Sequence, residues 1–432
     1  MTTHDDWVKR DAAVLWHGFT QMSTYADNTP LIIERAEGRE LIDVDGNRYL
    51  DAISSLWVTT LGHRVPELDD ALREQIDRIA HSTLLGNGNV AAIQLAEELA
   101  PLLPVDRPHL LFASDGAAAV EQALKIAFQY WVNQGVAGKR TYLAFGGAYH
   151  GDTIGSLSVG AGGFGTDLYD PLRFPVLRAP DVDAPGAFDT AIAMVHEHAD
   201  KLAAVVIEPL VQGAAGMRLS PAADVARLGE ACRKAGVLLI ADEVATGFGR
   251  TGTLFASQQC HLSPDLMCLG KGLTGGYLPM AATVASGAVF DAFLGPDLSE
   301  FTLYHGHSFS GNALCAAVAR RHLQLLKEWD VLANVNDRSY QLGVRLDTEI
   351  APITAVRQVR QQGLMVGVEL WPPTDGLRWG RRVCAEAVRR GVLLRPLGDV
   401  VVLMPILTST APEIDRIVDV LGASIDAVSN DR

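Results

Sequence analysis

Short apolar runs bounded by turn-forming residues recur along the chain, at 109–113, 141–145, 203–207, 237–241, 266–269 and 279–285. Runs of this length predict strands, and the stretches without polar alternation predict strands buried on both faces. Between them lie longer stretches of helical spacing. Residues 67–79 and 89–102 precede the first run, and Val120, Ala123, Leu124, Ala127, Phe128 and Trp131 mark one helical face directly after it. Strands alternating with helices imply an α/β fold, with a mostly parallel mixed sheet flanked by helices.

The pattern differs at both ends. The first part holds a helix-like stretch running into LWHGFTQM, then strands at 31–35 and 40–44 joined at Glu37-Gly38, and a turn at Asp45-Gly46. SSLWVTTLGHR follows as a loop carrying Trp57 and His63. From residue 328 a smaller α+β unit is expected. Residues 354–360 and 364–370 form one hairpin, 379–390 a helix, and 392–394 with 400–404 a second hairpin around Gly398-Asp399. Pro412 then opens a helix with Ile414, Ile417, Val418, Leu421 and Ile425 facing inward. The expected organisation is an N-terminal segment, 1–65, packing with the small domain; a large domain, 66–327; and a small C-terminal domain, 328–432.

Chemistry enters where the buried runs stop. In open α/β sheets ligands bind off the carboxyl ends of the strands, so Asp242 and Lys271, each just past a run, face one crevice. A carboxylate and an amine so placed, the amine between Gly270 and Gly272, suit pyridoxal 5′-phosphate: the lysine forms a Schiff base with its aldehyde and the carboxylate keeps its ring nitrogen protonated. Either residue alone is more often a cap or a solvated turn residue. Gly116 and Ala117, between a strand and a helix N-terminus, are candidates for gripping the phosphate. Tyr149 ends its strand beside glycines and suits stacking on a flat ring, while His150 reads as a local hydrogen-bonding residue. Glu208 and Gln212 fall at another carboxyl end without an assigned chemistry. Arg395, beside Pro396, suits bidentate capture of a substrate carboxylate.

Two glycine motifs are decoys. GAGGFG at 160–165 fits the dinucleotide pattern, but TDLYDP follows where a long helix is required, which leaves a flexible loop and little support for a dinucleotide-dependent oxidoreductase. GKG at 270–272 lacks the first glycine and the Ser or Thr of a phosphate-binding P-loop.

Composition narrows the field further. Thirty-six basic against fifty-one acidic residues in 432 give a net charge of −15, which argues against a nucleic-acid binder. The five cysteines form no CxxC pair and no zinc spacing, as expected of reduced thiols, so no metal is called for. The N-terminus has no secretory pattern, and 400–407 is broken by Pro405, so no membrane span and a cytoplasmic location are expected.

Two long motifs then add a family. DEVATGFGRTG followed by PDLMCLGKGLTGG resembles the signature of class III, fold type I pyridoxal-phosphate-dependent aminotransferases. LWHGFTQM, SDGAAAVEQALKIAFQYW, YHGDTIGSLSVG, VVIEPLVQGAAGM, HGHSFSGN and RPLGDVVVLMP look like its 7,8-diaminononanoate synthase branch, over nearly the whole chain. The resemblance implies that Lys271 is the Schiff-base lysine, Asp242 the partner of the pyridine nitrogen and Tyr149 the stacking ring, with Gly116 and Ala117 on the phosphate. It implies a homodimer in which Gly306, His307 and Ser308 reach the partner's site, with Arg395 on the carboxylate of 8-amino-7-oxononanoate. Trp57, Leu56 and Phe19 fall on the substrate side. There the chain departs from members using S-adenosylmethionine: Phe19 and Leu56 stand where those have tyrosine and tryptophan, and Ala117 replaces a phosphate-loop serine. Such departures look more like relatives that take the amino group from lysine. The alternative is another class III enzyme acting on an ω-amino acid or polyamine with pyruvate or 2-oxoglutarate.

Overall fold

The structure, a computed structural model, describes residues 2–161, 165–372 and 378–430. At its centre is a seven-stranded sheet in the spatial order His109–Ala113, Ala281–Ala285, Leu266–Leu269, Leu238–Asp242, Leu202–Ile207, Thr141–Gly146, Leu177–Asp181. Ala281–Ala285 runs antiparallel to both neighbours; the other pairings are parallel. The sheet is therefore mixed, as expected, and the strands that precede the candidate residues end on one side.

Period-two geometry explains why the runs carry no polar alternation. Leu238 and Ile240 pack with Ala123, Ala127 and Val206 under the helix Gly116–Asn133, whereas Leu239 packs with Phe188 and Leu228 of the helices Ala187–Glu197 and Ala222–Ala235. Both faces are covered, so every residue of Leu202–Ile207, Leu238–Asp242, Leu266–Leu269 and Ala281–Ala285 is buried.

The flanking units depart from the local pattern in three places. The first helix, His4–Val14, starts with a Thr3/Asp6 capping box but ends before LWHGFTQM, where Leu15 and Trp16 are exposed and offer no apolar face to extend it. Residues 392–394 do not form the outer arm of a hairpin. Val392–Leu393 instead pairs in parallel with Arg48–Asp51 in a four-stranded N-terminal sheet, and the hairpin is made by Arg395–Leu397 with Val400–Leu403. The chain changes sheet at buried Leu394 because Val392, fully buried, finds its partner in Leu50, far away in sequence. The third departure is the expected loop around Trp57, where Ser54–Trp57 forms one helical turn with φ of 50°, 49°, 81° and 70°. The centre of GAGGFG, residues 162–164, lies outside the described residues; a 3₁₀ turn, Thr166–Leu172, follows it.

The last helix, Ala411–Asn430, buries Ile414, Ile417, Val418, Leu421 and Ile425 as its spacing predicts. All five cysteines are free and buried. Among the described residues no helix is long and apolar enough to cross a membrane, and no group of side chains is suited to a metal ion.

One glycine ties the lysine loop to the substrate-side turn. Gly276 has φ of +86°, and a Cβ there would lie 2.8 Å from the backbone of Thr59. Gly276→Ala is expected to destabilise the protein by about 2–4 kcal/mol through left-handed strain plus a backbone clash, measured as a lowered urea midpoint.

Candidate active site

The carboxyl ends of the strands open onto a cavity of about 460 Å³ lined by Trp57, Gly116, Ala117, Tyr149, His150, Glu208, Asp242, Val244 and Lys271, among others. Residues from six separate stretches converge there because each follows a strand end or the Ser54–Trp57 turn. Asp242 is the last residue of its strand and is buried. One of its oxygens accepts the Val244 N–H at 3.0 Å and the other accepts from His150 Nδ1 at 2.7 Å. Nε2 of His150 is buried without a partner among the described residues. His150 thus holds Asp242 from behind, an interaction across 92 residues that its sequence context did not reveal.

Lys271 follows Gly270 with a positive φ of 42°, so its chain turns sharply into the cavity. Its amine lies 5.3 Å from the centre of the Trp57 ring. Burial lowers its pKa, against the fields of Asp242 and Glu208, which raise it. A lysine so placed loses its proton more readily than a solvated one, the state a nucleophile or proton carrier needs.

Glu208 is buried and accepts the backbone N–H groups of Tyr149 and Gly213, both at 3.1 Å. Burial pushes its carboxyl up to about 7, with His150 pulling it down and Asp242 adding to the rise. Tyr149 donates its hydroxyl to Asp152 at 2.9 Å, which fixes the ring at the cavity wall. At the other end stands the N-terminus of the 18-residue helix Gly116–Asn133. Asp115 caps it through Ala118 N–H, and Gly116 and Gly270 close over Val244, where a Cβ at Gly116 would lie 2.7 Å from the valine methyl.

Trp57 roofs the site and is buried, its ring lying against Gly213. The left-handed turn that carries it is costly, about 1–2 kcal/mol per residue for L-amino acids, and persists because its surroundings over-determine it. Ser54 donates its hydroxyl to Met404 O at 2.6 Å. Arg250 donates to Ser54 Oγ, Thr59 O and Pro405 O without a carboxylate in contact, and burial lowers it to about 10. Arg250 lies inside DEVATGFGRTG, but its role as a clamp on the turn was not legible there.

The remaining candidates lie elsewhere. Phe19 is 69% exposed and Leu56 46%, and neither lines the cavity. Gly306, His307 and Ser308 are also outside its lining: Ser308 O bonds His81 Nε2 at 2.7 Å, and a Cβ on Gly306 would meet Leu85. Arg395 sits on the edge strand paired to Val402 and, among the described residues, has no ion-pair partner.

The chain matches the model of the aminotransferase class-III family over residues 21–425. It belongs to the class III aminotransferases. It is 44% identical to an adenosylmethionine-8-amino-7-oxononanoate aminotransferase of Nitratidesulfovibrio vulgaris, over 97% of this chain and 81% of that protein. A crystal structure of the adenosylmethionine-8-amino-7-oxononanoate aminotransferase of Methanocaldococcus jannaschii superposes with a TM-score of 0.94 at 37% identity, covering 98% of each chain. A PLP-bound amine transaminase from an uncultivated Pseudomonas species superposes with a TM-score of 0.90 at 32% identity, covering 96% of this chain and 99% of that one.

The cofactor of this class III enzyme is pyridoxal 5′-phosphate, and the cavity fits it. It offers a buried carboxylate, an amine with lowered pKa, an aromatic wall and a helix N-terminus, the groups that a ring nitrogen, an aldehyde, a flat ring and a phosphate would call for.

The raised pKa of Glu208 gives a pH signature. Its carboxyl ionises near 4.5 in the unfolded chain but near 7 in the fold, so folding binds a proton between these values and stability is lost as pH rises through them. The cofactor-free protein is expected to lose up to about 3 kcal/mol from this group between pH 4.5 and 7.5. Glu208→Gln should flatten that slope, measured by urea unfolding at both pH values.

Proposed function

We propose that this enzyme transfers the amino group of S-adenosylmethionine to the ketone of 8-amino-7-oxononanoate, giving 7,8-diaminononanoate in biotin biosynthesis. The observation that carries the reading is the near-full-length likeness to relatives of that name, at 37–44% identity, together with an intact Asp242–Lys271 site. The substrate-side residues Phe19 and Leu56 pointed to lysine as donor, but the synthase relatives carry adenosylmethionine in their names, and none supports lysine.

When bound, pyridoxal 5′-phosphate supplies an electron sink and carries the amino group between the two half-reactions. Lys271, its proton easily lost, moves a proton to and from the substrate carbon. Asp242, held by His150, would pair with the ring nitrogen. Tyr149 covers a ring face, and the amides of Gly116 and Ala117 face the phosphate. Arg395, without a carboxylate partner among the described residues, takes the substrate carboxylate, while Trp57, Leu56 and Phe19 shape the substrate path.

A homodimer is part of this reading. Gly306, His307 and Ser308 lie off the cavity of their own chain, beside Leu85, Tyr304 and Phe309, which are 59%, 65% and 65% exposed. A second copy covers those apolar side chains and receives His307 and Ser308 at its phosphate end. A cytoplasmic setting agrees with five reduced, buried thiols.

Titrating the holoenzyme separately with S-adenosylmethionine and lysine tests the donor by its visible spectrum. S-adenosylmethionine is expected to shift the cofactor band; a shift with lysine alone overturns the donor, and no shift with any amine overturns the transamination. Lys271→Ala should lower turnover by at least about 10²–10⁴-fold. Arg395→Met should raise KM for 8-amino-7-oxononanoate about 10- to 100-fold with a smaller change in kcat.

A further inference from the structure

The turn Ser54–Trp57 puts the indole over Lys271, and its strain must be held at its first free donor. Leu56 and Trp57 donate their N–H groups to Ile53 O, at 3.2 and 2.8 Å, and Val58 and Thr59 donate to Ser54 O, at 2.9 and 3.1 Å. The Ser55 N–H has no such carbonyl. It donates to Asp51 Oδ1 at 2.9 Å, while the Ser55 hydroxyl donates to Asp51 Oδ2 at 2.7 Å. The same Oδ2 also meets His63 Nε2 at 3.0 Å. Asp51 ends the strand Arg48–Asp51, and its side chain is fully buried. Its backbone N–H is fixed to Arg39 O at 2.9 Å, so the carboxylate cannot follow the turn if the turn moves.

We propose that Asp51 is a positioning residue for substrate recognition: its carboxylate, steadied by His63, caps the left-handed turn and so sets Trp57 against the reacting end of Lys271. The inference rests on the transamination reading of the site. It adds that the substrate wall is fixed from the N-terminal sheet, by a residue that touches neither cavity nor cofactor. Arg250 and Met404 hold the turn at Ser54, its first residue; among the described residues Asp51 holds Ser55. Without Asp51 the turn keeps its anchor but loses the bonds that impose the left-handed conformation on the residues that follow.

The test uses the holoenzyme with Asp51→Ala, Asp51→Asn and Ser55→Ala. Asp51→Ala is expected to raise KM for the keto acceptor about 10- to 100-fold, as loss of charge-assisted hydrogen bonds does, with kcat changed less. Asn, keeping one acceptor, should restore part of the loss. A second readout needs no turnover. The emission that Trp57 contributes, taken as the difference between each protein and its Trp57→Phe version, should move to longer wavelength in Asp51→Ala. Unchanged KM and unchanged Trp57 emission in Asp51→Ala overturn the proposal. If Asp51→Ala does not fold, Ser55→Ala removes the Oγ bond and leaves the buried pair intact. It should raise KM about 3- to 10-fold and shift Trp57, and wild-type behaviour overturns the proposal equally. Failure of the transamination reading looks different: the wild-type enzyme itself then shows no half-reaction with any amine.

Discussion

The site depends on keeping charge out of water. Asp242 and Glu208 are buried at the ends of strands with no solvated face, and Lys271 is enclosed with them. An isolated buried carboxylate is unfavourable. Asp242 avoids that cost with a backbone amide and the His150 imidazole. Glu208 has two backbone amides, and its pKa still rises to about 7. Two carboxyls in one cavity thus have different partners, an imidazole and an amide for Asp242 and two backbone amides for Glu208. The lysine between their fields is left with a proton that leaves easily.

That electrostatic core is rigid because the sheet around it is. The substrate side is built differently, from a turn that L-residues resist and that persists only under contacts from three directions. Ser54 is tied to Met404, 350 residues away, Ser55 to Asp51, and Arg250 gathers Ser54, Thr59 and Pro405. The arginine is buried against carbonyl oxygens and a hydroxyl, with the charge of Asp51 acting on it only through space, so its position depends on those oxygens staying in place. Of the departures, Phe19 and Leu56 lie outside the cavity, whereas Ala117 lines it.

The chemistry was more legible than the substrate contacts. Asp242, Lys271, Tyr149, Gly116 and Ala117 all line one cavity, because each was read from a local rule: a strand end, a glycine-flanked turn or a helix start; Trp57, placed by resemblance, lines it too. Phe19, Leu56, Gly306, His307 and Ser308 were placed by resemblance and Arg395 by its strand end, and the single chain does not gather them there. His150 was read as a local hydrogen-bonding residue and Arg250 went unassigned, since their partners are remote and nothing nearby in sequence marks them.

Sequence alone determined the doubly buried strands, the ends at which they stop and the residue types found there, because strand period and turn chemistry act within a few residues. Only the tertiary structure decided which carboxylate is paired and which is raised. It also decided that Val392–Leu393 joins the N-terminal sheet and that Ser54–Trp57 turns left-handed. Neither Ser, Leu nor Trp favours positive φ, and Val392 pairs as well with one strand as another. Such choices follow from contacts hundreds of residues apart, whose energies no local pattern contains.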